Sequence, residues 1–195
     1  MQKTINIPKL LHEVHGKKAP LSDVLLAHSF ATIITAFTLY TALPLDLGLL
    51  KMIALGLLAY DLSGGVLANF SKGTSAHYAA SAKSRRNFLW LHVLQPSLMI
   101  YIFQGNDLIL AGLGLYIVAG SWLVNAQSTA EGQLRLGTFI SLVGISLLFI
   151  PGTQLNAIQQ LLLVFFMLKL PLAFAVQWYR LGEAVKLSER KSPER

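Results

Sequence analysis

Asp61 and Lys169 each stand inside a long apolar run, and an isolated charge in hydrocarbon is costly enough to mark a functional candidate. At about 1.5 Å per helical residue, Asp61 lies roughly 13 Å and Lys169 roughly 16 Å from the same membrane face. Opposite charges at matched depth are expected to pair. Such a pair is either a static link between two helices or a gate that titrates or coordinates a solute.

Other polar groups gather near Asp61. Asp61, Gly65, Ala68 and Asn69 share one helical face, as do His92, Gln95 and Met99, and His28, Thr32 and Thr35. Acid and base chemistry is expected from Asp61, His92 and His77. Asn69, Arg85, Arg86, Gln95 and Lys169 are expected to bind substrate, the two arginines by holding an anionic head group. His28, His92 and Asp61 make a nitrogen and oxygen set for zinc. A haem between His28 and His92 is a further possibility, since both lie roughly 8 to 9 Å deep and are expected to meet. No HxxxH or HExxH spacing prearranges two metal ligands on one helix.

The elements that carry these residues follow from composition. Of 195 residues, 54% are hydrophobic and only 13% charged, against about 25% charged in a soluble domain. Mean hydropathy is +0.56. That is more apolar surface than one globule of this size can bury in water. The chain has no cysteine, which excludes thiol nucleophiles, thiolate zinc sites and iron–sulfur clusters.

An all-α polytopic bundle of six transmembrane spans is therefore expected. The spans are Asp23–Leu43, Leu47–Phe70, Asn87–Phe103, Leu108–Ala126, Leu136–Ile150 and Leu155–Tyr179. Strands are not expected anywhere. Residues 1–22 read as a cytoplasmic tail, 23–180 as the membrane domain and 181–195 as a charged cytoplasmic tail. Within the first tail, Pro8 to Gly16 reads as one short helix on the membrane surface, with Pro starting it and Gly stopping it. This start is expected to stay attached rather than to be a cleaved signal.

Laid alternately up and down, the spans put nearly all Lys and Arg on one side, with Trp90, Trp122 and Trp178 near the same ends. Both termini are then cytoplasmic, and the protein sits in the plasma membrane. The net charge of +7 is read as topology and attraction to anionic lipid, not nucleic-acid binding. Three functions stay open. The first is a binding or catalytic site for a lipid or amphipathic substrate in the cytoplasmic half. The second is a solute or proton-coupled transporter using Asp61 and Lys169, with Pro96 and Pro171 permitting rearrangement. The third is a scaffold that meets a membrane partner or a second copy through Gly64 and Gly65.

Overall fold

A computed structural model describes residues 3–150 and 152–182. The expected tail beyond residue 182 lies outside the described residues. The chain opens with β1 (Thr4–Asn6), a 3-10 turn at Lys9–Leu11, helix α1 (His12–His15) and β2 (Lys18–Pro20). The two strands pair antiparallel, Ile5 opposite Ala19. Expecting no strands was therefore wrong for this segment. Three-residue strands are too short to show alternation in the sequence, and it is the folding back at Gly16 that brings them together. The short helix between Pro8 and Gly16 is present, its first turn tightened to 3-10 form.

Then follow α2 (Leu21–Ala42), α3 (Leu49–Phe70), α4 (Lys72–Ala79), α5 (Ala82–Leu91), α6 (Leu94–Phe103), α7 (Asp107–Ala126), α8 (Ala130–Leu147) and α9 (Ala157–Met167). Helix α9 continues as a π-helical stretch, Leu168–Phe174. The hydroxyls of Ser71, Ser81 and Thr129 cap the helices that follow them by accepting from backbone N–H groups, and Asn156 forms a reciprocal capping box with Gln159.

Among the described residues four helices are long and apolar enough to cross a membrane, those beginning at Leu21, Leu49, Asp107 and Ala157. This is the make-up of an integral membrane protein. Burial sorts them: 67% of the apolar stretch Ala157–Phe174 is buried inside the bundle but only 17% of the apolar stretch of α2. Helix α9 is thus the core, around Leu162, Leu163 and Phe166, and α2 is the periphery. Leu25, Leu26, Ile33, Phe37 and Tyr40 of α2 face outward, so the outer face of this helix is largely apolar, as lipid contact requires.

Two of the expected spans are interrupted, and a proline explains each. The stretch Asn87–Phe103 is two helices, α5 and α6, separated at His92 and Val93. Pro96 has no N–H to give the carbonyl of His92, and its ring crowds that carbonyl. His92 N–H instead turns back to the Leu89 carbonyl at 3.2 Å. In the last span Pro171 cannot bond the carbonyl of Met167. The Ser141 hydroxyl of α8 donates to that carbonyl instead, at 3.0 Å, while the backbone widens to π form. Gly137, one turn away on α8, gives the π stretch room: a Cβ there would lie 2.6 Å from the Pro171 carbonyl oxygen.

The face of α3 read as a docking surface is partly covered within the chain. Gly64 is buried against Ala31 of α2, and Gly65 lies under the stem of Lys169.

Candidate functional site

Lys169 emerges from the π stretch nearly fully buried, 2% exposed, and its Nζ donates to Asp61 Oδ2 at 2.7 Å. The expected pair between α3 and the last helix is present. Gln95 Nε2 donates to the same oxygen at 3.0 Å, so one carboxylate oxygen ties three helices together. The Lys169 stem lies on Gly65, where any Cβ would collide with its Cε. Its ammonium stands 6.0 Å from the centre of the Phe88 ring, close enough for a cation–π contribution. Phe88 in turn stacks on Phe174 with ring centres 3.9 Å apart.

Beside this pair lies a cavity of about 430 Å³ between α1, α2 and α3, a size that suits a small-molecule ligand. Its walls are mostly apolar and include Leu11, Val14, Ala27, Ala31, Leu57 and Ala68. Polar groups are confined to a few places: Glu13, His15, His28, Tyr60, Asp61, Asn69 and Lys169. A second hollow on the other side of Asp61, lined also by His92, Gln95 and Asn87, shares Glu13, Val14, Asp61 and Phe88 with the first. Helix α1 therefore roofs both.

The roof is held by polar bonds that the sequence does not announce. The Thr74 hydroxyl donates to the Val14 carbonyl at 2.5 Å, and the Tyr78 hydroxyl to the Glu13 carboxylate at 2.6 Å. Tyr78 is buried, and burial together with Glu13 pushes its phenol well above the usual range; it stays a donor at any physiological pH. On the opposite side, His15 Nε2 meets His28 Nε2 at 3.0 Å and His28 Nδ1 meets the Tyr60 hydroxyl at 2.7 Å. One imidazole must donate and the other accept along this chain.

Burial, and then the neighbouring His28, hold the His15 pKa below its ordinary 6.5. The neutral ring is favoured when α1 is docked, and an undocked ring takes up a proton more readily. The contribution of His15 to docking is therefore complete above about pH 6.5 and declines as the pH falls below it. The protection of the backbone amides of residues 12–16, taken relative to their intrinsic exchange at each pH, should fall between pH 7 and pH 5, and His15→Phe should flatten that response. An exchange rate with only its intrinsic pH dependence in the wild-type chain would refute this.

Not all the expected site residues assemble. Asp61, Asn69, Gln95, Lys169 and His92 line the two joined hollows. His77 does not join them: it faces Glu13 at 3.7 Å on the outer side, in a hollow lined by Lys17, Lys18 and Lys72. Arg86 is exposed, and neither arginine lines either hollow. Arg85 is a structural residue, its Nε donating to Asn125 Oδ1 at 2.8 Å and its Nη2 to the Ala175 carbonyl at 2.6 Å. An anionic head group held by Arg85 and Arg86 is thus not what the geometry offers.

His28 and His92 do not meet either. His28 is engaged through both ring nitrogens, and His92 lies 1% exposed beside Phe88 and Phe166, its Nδ1 2.7 Å from the Phe88 carbonyl. Among the described residues no three His, Asp or Glu side chains converge as a metal set. The zinc set of His28, His92 and Asp61 and the bis-histidine haem clamp therefore do not fit these side chains. Missing from the expectations were His15, Tyr60 and Glu13. The pattern Pro8 to Gly16 was the signal for α1, but nothing local shows what it covers.

The chain matches no protein-family model, no curated protein and no solved structure. Its class, an integral membrane protein, rests on its own apolar helices and composition.

Proposed function

We propose that this is a multi-pass protein of the cell membrane that holds a lipid or other amphipathic molecule in the cavity beneath α1. The six segments cross the bilayer with the basic end in the cytoplasm, α5 with α6 and α8 supplying the two crossings beyond the four long apolar helices. Residues 3–20 then form the roof on the cytoplasmic side. Lys17, Lys18 and Lys72 around the outer hollow attract anionic lipid head groups at that surface.

One observation carries this reading: a cavity of about 430 Å³ that is apolar over most of its wall and polar at a few fixed points. That division matches a molecule with a hydrocarbon body and a small head. Asp61 and His92 share the adjoining hollow and are the groups placed to move a proton on such a molecule.

The test is mass spectrometry of the purified chain released gently from detergent. About one amphiphile should be retained per chain, and added amphiphile should bind saturably to stripped protein. A chain that retains none and binds none would end this reading. The transport alternative is separated by a single cysteine at Gln95 in this cysteine-free chain. A site beneath α1 is labelled from the cytoplasmic side alone, whereas a path through Asp61 and Lys169 is labelled from both.

A further inference from the structure

The outer hollow, about 810 Å³ in volume, lies between the roof and the beginnings of α4 and α5. The roof contributes Lys17 and Lys18, and the bundle contributes Lys72, the first residue of α4. Among the described residues no Asp or Glu lines it. Glu13 reaches His77 at 3.7 Å and Tyr78 at 2.6 Å and is not part of this wall. Backbone packing holds the like charges around one space. A Cβ on Gly16 would collide with the Gly73 carbonyl, and one on Gly73 would stand 2.7 Å from the Lys18 carbonyl oxygen. The chain just before Lys17 and the chain just after Lys72 therefore cross in direct contact, which two glycines permit. Ammonium groups gathered in this way repel one another until an anion lies among them.

The wall also offers hydroxyls. Ser81 caps α5 by accepting from the Ser84 N–H at 3.2 Å, which leaves its own proton to donate, and Ser84 lines the same space. Lysines set around hydroxyls suit a phosphate, whose oxygens accept from several donors at once. A monoester matches three lysines better than a diester does. It carries about 1.5 to 2 negative charges at neutral pH, against about one for the diester.

We propose that the outer hollow is a binding site for a phosphate monoester, and that the bound group fastens the roof to α4 and α5. The monoester is the head of a lipid at the membrane surface or the same group on a soluble molecule. A basic surface draws in any anionic lipid; this site selects by head group and by position. For its lipid source it rests on the cytoplasmic placement of the roof, and it does not depend on what the cavity beneath α1 holds.

The test measures binding of dioctanoyl phosphatidic acid, dioctanoyl phosphatidylglycerol and glycerol phosphate to the full-length chain in an uncharged detergent at neutral pH. The phosphatidic acid, a monoester, should bind about tenfold more tightly than the phosphatidylglycerol, a diester. Lys72→Gln should weaken it about tenfold. Lys83→Gln removes the same charge from an exposed position of α5 outside the hollow and should change binding less than about twofold. Amide protection of residues 12–16 should rise as the site fills. Glycerol phosphate binding as tightly as the phosphatidic acid assigns the site to a soluble molecule, and binding of the lipid alone assigns it to the membrane surface. Equal binding of the two lipids, equal losses in the two variants, or no saturable binding of either monoester would overturn the site, and unchanged protection at saturation would overturn the fastening. Displacement of the phosphatidic acid by dioctanoylglycerol, which has the chains and no phosphate, would place the ligand beneath α1 and overturn the separate site while leaving the amphiphile reading standing.

Discussion

Replacing Asp61 by Asn should cost this protein about 3 kcal/mol of stability, because it strands a buried ammonium. Lys169 is 2% exposed and Asp61 is its anionic partner, at 2.7 Å. The stem cannot swing toward the bilayer surface without leaving its slot on Gly65. In a chain of this length the loss corresponds to a fall of roughly 6 to 12 °C in melting temperature. Lys169→Met should cost less, because the side chain of Asp61 is 51% exposed and can be hydrated from the cavity. The double variant, Asp61→Asn combined with Lys169→Met, should recover most of the loss, since a methionine fills the lysine stem's space without a charge. Thermal denaturation of the four proteins in one detergent measures the coupling. Additive losses would mean that the two side chains do not interact energetically.

Gly137→Ala should be strongly destabilising for a change of one methyl group. The added Cβ would stand 2.6 Å from the Pro171 carbonyl oxygen and 3.2 Å from a methyl of Val176. The carbonyl belongs to the backbone of the π stretch and cannot rotate away, so α8 and that stretch must separate. Overpacking of this kind costs about 1 to 3 kcal/mol. Separation also stretches the bond from Ser141 to the Met167 carbonyl, worth about 1 kcal/mol more. Gly112→Ala is the control: nothing lies within 4 Å of its Cβ position, and alanine should leave α7 unchanged or more stable by about 0.5 to 1 kcal/mol. Equal melting temperatures for the two variants would show that the close approach of α8 to the π stretch does not hold the bundle together.

What could be read from the chain was height, and what could not was azimuth. Rise per residue placed Asp61 and Lys169 at one level, and only one opposite charge was available to each at that depth, so the pairing followed. The same reckoning placed His28 and His92 level with each other. Yet α2 and α5 face different neighbours, and His28 turns to His15 and Tyr60 instead. Pro96 and Pro171 were legible as places where a helix could rearrange, because a missing N–H acts locally, but not as the ends of helices; that Ser141 would satisfy a freed carbonyl depended on packing between helices. Arg85 was misplaced for a related reason. Expected between two spans, free to hold a head group, it lies in α5, which begins at Ala82, and a helix there turns its side chain inward to Asn125 and Ala175. The roof was hidden most completely, since Val14 bonds Thr74 and Glu13 bonds Tyr78 across 60 and 65 positions of sequence.

The pairing of β1 with β2 starts at Thr4, and the Leu21 N–H donates to the Lys3 carbonyl at 3.0 Å. The segment from Lys3 to Pro20 is accordingly fastened at both ends rather than hanging loose, and removing it would strip the cavity of the wall that Leu11, Glu13, Val14 and His15 supply.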